Sequence, residues 1–527
     1  MPESTLFYNG WIRTLDPALP QARALAVSDG RVLMAGKLEE CRSALGAGAA
    51  EVDLGGASVL PGLTDSHIHF SSYASGLRHI ALDDTRSLDE ALAIVRERAE
   101  SLRPGEWVLG GNWDYNRWRE RRPPDKRSLD SVAPQNPVSL HSRDGHSLWV
   151  NSRALELARI TEGTADPDGG QIHRLPNSLE PSGWLLERAC DLVRAVEQDT
   201  DESLTEAIKV AFPLALAAGI TSIHDFDQME AIEAYRALHA AGELHLRVYK
   251  TIPVHDLSWA LGEGVRTGQG DEWFRMGPVK IFTDGALGSH SAAMLEPYAA
   301  EPDNRGIEVT PPDELRELVV RAAGGGIACA LHAIGDRANR NALDAFEHAR
   351  RQGVGDGLRH RIEHVQHLHP DDLPRLAQLD VIASMQPIHQ TSDMYVADAL
   401  LGDRVRWSYA WRSLLESGAR LAFGSDCPVE PLNPFLGLHA AVTRQRDGEP
   451  VGGWQPQERL SAEQAYRAYT EGAAWASEEE DEKGRLSAGM LADFVLLSDD
   501  PLECEPAKLG AIEVLATYVG GRELYRA

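Results

Sequence analysis

The sequence lacks the segments that would place a chain in or across a membrane. Nowhere do about 18 apolar residues follow one another, the length that a membrane-spanning helix needs. The first residues, MPESTLFYNGWIRTLD, contain neither the basic start nor the apolar stretch of a secretory signal peptide. We therefore expect a cytoplasmic protein with no membrane partner.

Cysteine is scarce and shows no pairing pattern. There are 5 cysteines in 527 residues, an odd number, and no CxxC motif joins any two of them. Such spacing argues against a disulfide framework. The sequence predicts reduced thiols, which agrees with a cytoplasmic location.

Basic residues are also few. The chain has 52 Lys and Arg against 80 Asp and Glu, a formal net charge of -28. A field of this sign repels phosphate backbones and anionic lipid surfaces, and no local basic patch offsets it. We expect a small-molecule substrate and no nucleic-acid partner. A homodimer is only the general expectation for a soluble enzyme.

Two patterns of apolar residues divide the chain. At both ends, short apolar runs alternate with Gly, Asp and Pro, as in ALAVSDGRVLMAG and MLADFVLLSDDP, and this is typical of strands and turns. They predict one small β-sandwich domain built from residues 1–57 and 485–527. The central part, residues 58–484, repeats a strand followed by a helical pattern, the signature of βα units.

Eight strand candidates in the central part predict an α/β fold, a (β/α)₈ TIM barrel. Eight parallel strands with their crossovers close into such a barrel, and its active site forms at the carboxyl ends of the strands. The candidates are residues 57–70, 220–226, 245–252, 278–285, 327–335, 359–366, 381–386 and 420–426.

A long segment separates the first two of these strands. An ordinary βα unit contains loops of about 2 to 6 residues and one helix, so we interpret residues 71–200 as an inserted subdomain over the barrel mouth. Its aromatic stretch GNWDYNRWRERRPP contains Trp113, which is either core of the insert or part of a lid that contacts substrate. The acidic run at 477–483 is expected to be a solvated surface stretch.

Histidine and aspartate residues occur at the ends of several predicted strands. His67 and His69 lie two apart in a strand, so their side chains point to the same side, about 7 Å apart at Cα. Alone, the HxH pattern is as consistent with ordinary polar residues as with a metal site. His332, His364 and Asp426 end three other apolar runs, and all five converge if the barrel is right. Imidazole and carboxylate ligands suit Zn, Mn, Fe or Ni.

Lys280 is a charged residue within an apolar strand, in GPVKIFTDG. An unpaired ammonium group is costly to bury, so something must compensate for it. Either Lys280 forms an ion pair with Asp284 or another acid, or a lowered pKa allows CO₂ to convert it into a carbamate that bridges two metal ions. Residue type alone favours the ion pair.

The motifs PGLTDSHIHF, VKIFTDG, LHAIGD, RIEHVQ, FGSDCPV and KGRLSAGMLADFVLLSDDP together resemble the amidohydrolase superfamily. Within it, the chain is similar to the YtcJ-like metal-dependent hydrolases related to N-substituted formamide deformylase, over almost its entire length. The resemblance implies that His67 and His69 bind the more buried metal, and that Asp426 ligates it and acts as the base. It further implies that His332 and His364 bind a second metal and that a carbamate on Lys280 bridges the two ions.

The resemblance also implies the reaction, hydrolysis of an amide-like C–N bond other than a peptide bond in a small N-substituted amide or formamide. Two divalent ions, taken as Zn, would activate water at neutral pH. His146 is either an oxyanion donor or a structural histidine of the insert. The remaining substrate-contact candidates are Trp113, Asp284, Gln386, His389 and His290, the last at a position where relatives usually carry Arg.

Two alternatives stay open. A mononuclear deaminase-type hydrolase on the same barrel would not need a bridging lysine carbamate. A catalytically silent scaffold would be expected to have lost a ligand, whereas all six candidate ligands are present.

Overall fold

The computed structural model describes residues 4–115, 117–142, 147–167, 170–197, 204–299 and 301–527. The chain divides into two compact units. One comprises Met1–Tyr73 and Ile208–Ala527, and the other comprises Ala74–Ala207. The second unit is therefore a continuous segment within the sequence of the first, in the part of the chain where the sequence predicts an insert over 71–200.

The first unit contains a parallel barrel sheet. Its eight strands, named β1 to β8 in chain order, are Leu63–Ile68, Ile220–Asp225, Arg247–Pro253, Phe274–Phe282, Cys329–Ala333, Arg361–His364, Ile382–Met385 and Leu421–Phe423. Each is hydrogen-bonded to the next in sequence order. The ends of β8 and β1 are joined by the amide of Asp426, which donates to the carbonyl of His67 at 2.7 Å. The predicted (β/α)₈ barrel is confirmed.

The barrel strands appear as apolar runs in the sequence because the sheet is covered on both faces. Every residue of β1, β2, β3 and β5 to β8 is buried. The helices of the first unit, including the two that cross its boundaries, are Leu38–Leu45, Phe70–Gly76, Leu204–Ala217, Glu230–Ala241, Leu257–Gly262, Pro312–Gly324, Asp336–Arg351, Leu373–Gln378, Pro387–Leu401, Trp411–Glu416, Pro434–Thr443, Ala462–Ala468 and Glu471–Ala476. Short 3₁₀ helices cover Val254–Asp256, Gly402–Trp407, Pro456–Glu458 and Pro506–Ala511.

Strands from both ends of the sequence share a second sheet of the first unit. They are Ser4–Arg13, Gln21–Ser28, Arg31–Gly36, Ala50–Asp53, Ser58–Pro61, Phe494–Leu497, Val514–Val519 and Arg522–Arg526. The two ends meet where Ser58–Pro61 pairs antiparallel with Phe494–Leu497. Rings of Phe7, Phe494 and Tyr518 pack together, with centroids 4.5 to 5.2 Å apart. The sandwich arrangement and the boundaries of a terminal domain stay predictions.

The second unit has its own six-stranded sheet and core. Its strands are Ile80–Ala81, Val108–Trp113, Val138–Ser142, Ser147–Val150, Gly170–Arg174 and Pro181–Glu187, and its helices are Leu88–Ser101, Lys126–Asp130, Ser152–Leu157 and Asp191–Arg194. Three tryptophans, Trp113, Trp118 and Trp149, pack against one another in the core. The Trp113 indole N–H donates to the carbonyl of Leu140 at 2.8 Å. Trp113 is thus core of this unit, one of the two readings that its sequence context allows.

The acidic run at 477–483 is only partly solvated, so the prediction of a surface stretch is wrong for three of its residues, Ser477, Glu479 and Lys483. Glu479 and Lys483 are both buried and form an ion pair at 2.8 Å. The Lys483 ammonium also donates to the hydroxyl of Ser222 on β2 at 2.6 Å. The ammonium of Lys483 is the partner of the Glu479 carboxylate, and the hydroxyl of Ser222 is a further partner of that ammonium. Because both charged groups have partners, their burial is permitted.

Across the part of the chain that the structure describes, none of the helices combines the length and the apolar character needed to cross a bilayer.

Candidate active site

The carboxyl ends of the barrel strands bring the predicted ligands together. His67 lies in β1, His332 in β5 and His364 in β6. His69 follows β1 directly, and Asp426 lies three residues after the end of β8. The ring centroids of His67 and His364 are 4.9 Å apart, and those of His332 and His364 are 4.6 Å apart. Residues far apart in the sequence therefore share one site, as the barrel predicts.

Asp426 has contacts that fit metal ligation. Its Oδ1 lies 3.5 Å from Nε2 of His67 and 3.6 Å from Nε2 of His69. Two atoms bound at 2.0 to 2.1 Å to one tetrahedral ion are about 3.4 Å apart, so these separations suit ligands of a common ion. The three residues form one group whose donor atoms lie within 4.8 Å of one another.

Asp426 also lies in a second group within the same 4.8 Å limit, with His364 and His389. A further observation supports metal ligation by the predicted residues. Nδ1 of the buried His332 makes no hydrogen bond to any residue that the structure describes. A buried ring nitrogen without a partner is free to ligate an ion. The donor set, imidazole with carboxylate, is one that zinc and other first-row metals accept.

Lys280 lies in β4, buried against two aromatic rings. Its Nζ is 4.7 Å from the ring centre of Phe226 and 5.0 Å from that of Phe282. Burial lowers the pKa of Lys280 to about 8, although the charges of Glu363 and Asp426 oppose this. A lysine of lowered pKa has a larger fraction of the neutral amine that carbamylation requires.

Asp284 does not form the ion pair with Lys280 that one interpretation of the sequence requires. Its carboxylate accepts hydrogen bonds from the backbone amides of Ala293, Ile334 and Gly335, at 2.8 to 3.1 Å. Burial raises the pKa of Asp284 to about 7 in spite of these donors. Its Oδ1 also lies 3.5 Å from Nε2 of His332. The structure places Asp284 behind a predicted ligand rather than facing solvent.

A buried acid orients His67. Nδ1 of His67 lies 2.6 Å from Oε2 of Glu363, and the guanidinium of Arg361 donates to Oε1 of the same carboxylate at 2.5 Å. All three side chains are almost completely buried. Burial, together with the charge of Lys280, lowers the pKa of His67 well below its ordinary value. A neutral imidazole with Nδ1–H directed at Glu363 leaves Nε2 free to bind metal.

His69 has a separate carboxylate partner, Asp227, which follows β2. Oδ1 of Asp227 lies 3.3 Å from Nδ1 of His69, and the hydroxyls of Ser71 and Ser72 donate to its two oxygens at 2.7 and 2.6 Å. Although burial lowers the pKa of His69, the hydrogen bond to Asp227 and the charges of Asp227 and Asp426 together leave the pKa raised. These contacts keep the pKa of Asp227 below its ordinary value against the effect of burial.

The other two predicted histidine ligands have a carbonyl or an amide oxygen as hydrogen-bond partner. Nε2 of His332 lies 3.2 Å from the carbonyl oxygen of Gly285, and Nδ1 of His364 lies 2.8 Å from Oε1 of Gln386. Burial lowers the pKa of His332 to about 3 and that of His364 well below its ordinary value. Gln386, a substrate-contact candidate in the sequence, is therefore behind His364.

The remaining candidates fall in different places. His389 is buried beside Asp426, with Nε2 3.5 Å from Oδ2. His290 has a left-handed backbone, φ 55°, and pairs with Glu301, 2.5 Å from Nδ1 to Oε1. His146 lies outside the described residues.

Sequence reasoning missed Glu363, Arg361, Asp227 and Phe282. In RHRIEHVQ, Arg361 and Glu363 are two residues apart and so point to the same side of the strand. Two opposite charges inside an otherwise apolar strand are the signal that predicts a buried ion pair. Phe282, at the end of β4, is 45% exposed and its ring centre lies 5.1 Å from that of His332.

Comparison with known proteins agrees with this geometry. A profile described as the amidohydrolase family matches residues 50–525. The Arabidopsis thaliana protein LONG AFTER FAR-RED 3 is 37% identical over 99% of this chain and 91% of its own length. The putative amidohydrolase YtcJ of Bacillus subtilis (strain 168) is 33% identical over 99% of both chains. The N-substituted formamide deformylase of Arthrobacter pascens is 31% identical over 98% of this chain and 97% of its own.

A solved structure is also similar to this chain. The crystal structure of an uncharacterized metal-dependent hydrolase from Pyrococcus furiosus superposes with a TM-score of 0.79 at 29% identity, covering 95% of this chain and 100% of that chain. Membership of the family implies dependence on a divalent metal. The chain belongs to the amidohydrolase family and is a metal-dependent hydrolase of carbon–nitrogen bonds other than peptide bonds.

Proposed function

We propose that the protein hydrolyses the C–N bond of a small N-substituted amide or formamide, in the cytoplasm. The observation that carries this proposal is the position of Asp426 between two imidazoles on one side and a third on the other. Its Oδ1 faces Nε2 of His67 and of His69, and its Oδ2 faces Nε2 of His389. A carboxylate placed in this way is suited both to hold metal and to move a proton.

We assign the metal ligands to the residues that the resemblance to the amidohydrolase superfamily implies. His67, His69 and Asp426 would hold one ion, and His332 and His364 would hold a second, with a carbamate on Lys280 between them. Zn²⁺ suits such imidazole and carboxylate donors. When bound, the ions polarise the substrate carbonyl and lower the pKa of water to about 7.

The residues of the chain then have defined tasks. Asp426 accepts the proton of the attacking water and returns it to the leaving nitrogen, so the C–N bond breaks and an amine departs. Glu363 and Asp227 hold His67 and His69 in the ring orientation that leaves Nε2 free. Phe282, half exposed beside His332, offers an apolar surface to the substituent on the amide nitrogen.

The relative that acts on N-substituted formamides supports the substrate class, and it is 31% identical to this chain. The test has two parts. Protein purified without chelator and with bicarbonate is first analysed for metal ions per chain, where about two are expected. N-formyl and N-acyl amines are then supplied and the released amine is measured.

The results separate the alternatives. About one ion per chain would favour a mononuclear deaminase-type site, with Lys280 as an unmodified lysine. Protein that binds no metal after metal is added back would contradict the proposal and favour a silent scaffold. Two ions without hydrolysis of any N-substituted amide would leave the metal site standing and overturn the substrate class.

A further inference from the structure

His389 presents a buried nitrogen to the site. It lies in the first turn of the helix Pro387–Leu401, after β7, and is 8% exposed. Among the residues that the structure describes, its Nε2 has no hydrogen-bond partner. The separation of 3.5 Å between this atom and Oδ2 of Asp426 is too long for a strong hydrogen bond. A group buried in this way costs free energy unless something else binds it.

The side-chain amide of Gln366 faces Nδ1 of His389. Nε2 of Gln366 lies 3.3 Å from Nδ1 of His389, and an amide NH₂ group is only a donor. With the Gln366 amide in this orientation Nδ1 accepts, which places the hydrogen of the neutral ring on Nε2. Because a metal-ligating nitrogen needs a free lone pair, this arrangement makes Nε2 a donor rather than a ligand.

The backbone before Gln366 is held in an unfavourable conformation. His364 has φ 77° and Val365 has φ 46°, and a positive φ at a β-branched residue is uncommon. Neighbouring backbone stabilises the turn, since the amide of Val365 donates to Ala333 at 3.1 Å and that of His367 donates to Ile334 at 3.0 Å. Strain of this kind persists where the surrounding structure enforces it, and it is frequent at functional sites.

We propose that His389 is a further catalytic residue, which donates a hydrogen bond from Nε2 to the carbonyl oxygen of the substrate as that oxygen gains negative charge. Gln366 is its positioning residue. The inference rests on the proposed hydrolysis of an N-substituted amide. A donor that is already oriented before substrate binds stabilises the developing oxyanion without a cost of reorganisation.

The first test uses the metal-free protein and needs no substrate. Nitrogen-15 NMR of imidazole-labelled protein, with the His389→Gln variant to assign the signal, reports which ring nitrogen is protonated. We expect the proton on Nε2. In Gln366→Glu a carboxylate replaces the amide NH₂, so we expect the proton to move to Nδ1. A wild-type ring protonated on Nδ1 would overturn the proposal.

The second test separates a donor from a ligand. For His389→Leu we expect kcat on an N-formyl amine to fall by about 10²–10³-fold, with unchanged metal content and metal dissociation constant. His389→Gln, whose Nε2 is a donor, should recover part of kcat. If His389→Leu loses an ion or binds metal tenfold more weakly, His389 is a ligand; if kcat is unchanged, its role is structural.

The variant Gln366→Glu keeps the test decisive even if His389→Leu does not fold. It changes no residue that faces the substrate, and we expect a lower kcat with an unchanged KM. Wild-type kcat together with the proton on Nδ1 would overturn the proposal. Failure of the proposed function has a different signature, namely wild-type protein that binds metal and hydrolyses no N-substituted amide. In that case the NMR and metal measurements still decide between donor and ligand.

Discussion

Glu363 and His67 form a hydrogen bond in the interior of the barrel, with 2.6 Å between Oε2 and Nδ1. The two residues belong to strands that are not neighbours, β6 and β1. Arg361, which is completely buried, donates to the same carboxylate. The orientation of one predicted metal ligand therefore depends on an ion pair contributed from another strand.

Replacing Glu363 by Gln should weaken metal binding. The amide removes the negative charge that makes His67 a better ligand, and partners of this kind typically contribute 10 to 100-fold in metal affinity. We expect the metal dissociation constant, measured by competition with a chromogenic chelator, to rise by about that factor.

Glu458→Gln provides the control for this variant. Glu458 is also buried, and its carboxylate accepts hydrogen bonds from the amide and hydroxyl of Ser413. We expect this variant to lose some stability and to keep wild-type metal affinity. Equal metal affinities in the two variants would show that Glu363 does not position His67.

Replacing Lys280 by Ala should remove one of two metal ions and most of the activity. Without the ε-amino group no carbamate forms, so the ions lose their shared ligand. We expect the content to fall from about two ions per chain to one, measured by elemental analysis after purification with bicarbonate. Lys508→Ala serves as a control, because this lysine is exposed. Two ions retained in Lys280→Ala would refute the carbamate.

Replacing Asp426 by Asn should separate metal binding from turnover. The amide oxygen of Asn still offers a donor atom facing His67 and His69, whereas it does not accept the proton of the attacking water. We expect the metal content to stay near that of the wild type and kcat to fall by about 10²–10⁴-fold. Full activity in this variant would assign the base to another residue.

The buried pair of Glu479 and Lys483 should make stability depend on pH. Burial raises the pKa of Glu479. The charge and hydrogen bond of Lys483, with further contributions from Ser477 and Arg275, together leave the pKa lowered. A carboxyl with a lowered folded pKa contributes stability above its unfolded pKa of about 4.3, and this contribution is lost as pH falls through the folded pKa.

Glu479→Gln leaves the ammonium of Lys483 buried without its charge partner. We expect a loss of about 3–5 kcal/mol of unfolding free energy at pH 7, from urea denaturation, and a smaller difference below about pH 4. Glu482→Gln, which removes a half-exposed partner of Arg31, should cost about 1 kcal/mol or less. A loss for Glu479→Gln that is independent of pH would contradict the argument.

The sequence was sufficient to predict the ends of the barrel strands and the histidine and aspartate side chains that meet there. Because carboxyl ends of parallel strands meet at one face, the position of His332 or Asp426 follows from the strand pattern alone. The contact of Glu363 with His67 does not follow, since it crosses the barrel between strands far apart in the sheet. The burial of Glu479 likewise depends on Ser222, more than 250 positions away in the sequence.

The role of Trp113 could not be predicted from the sequence for a different reason. An aromatic cluster near a predicted active site fits either a lid or a local core, and the pattern of residues is the same for both. Only packing distinguishes them, and here the indole N–H is satisfied by the carbonyl of Leu140 within the unit.

The pairing of Ser58–Pro61 with Phe494–Leu497 has a consequence for synthesis on the ribosome. About 430 residues separate these strands, and at about 5–20 residues per second the second is made roughly 20–90 seconds after the first. For that time one edge of Ser58–Pro61 lacks its final partner, and an unpaired edge is a template for pairing with other chains. The nascent polypeptide would thus be most prone to aggregation before its last strands emerge, and most dependent on chaperones at that stage.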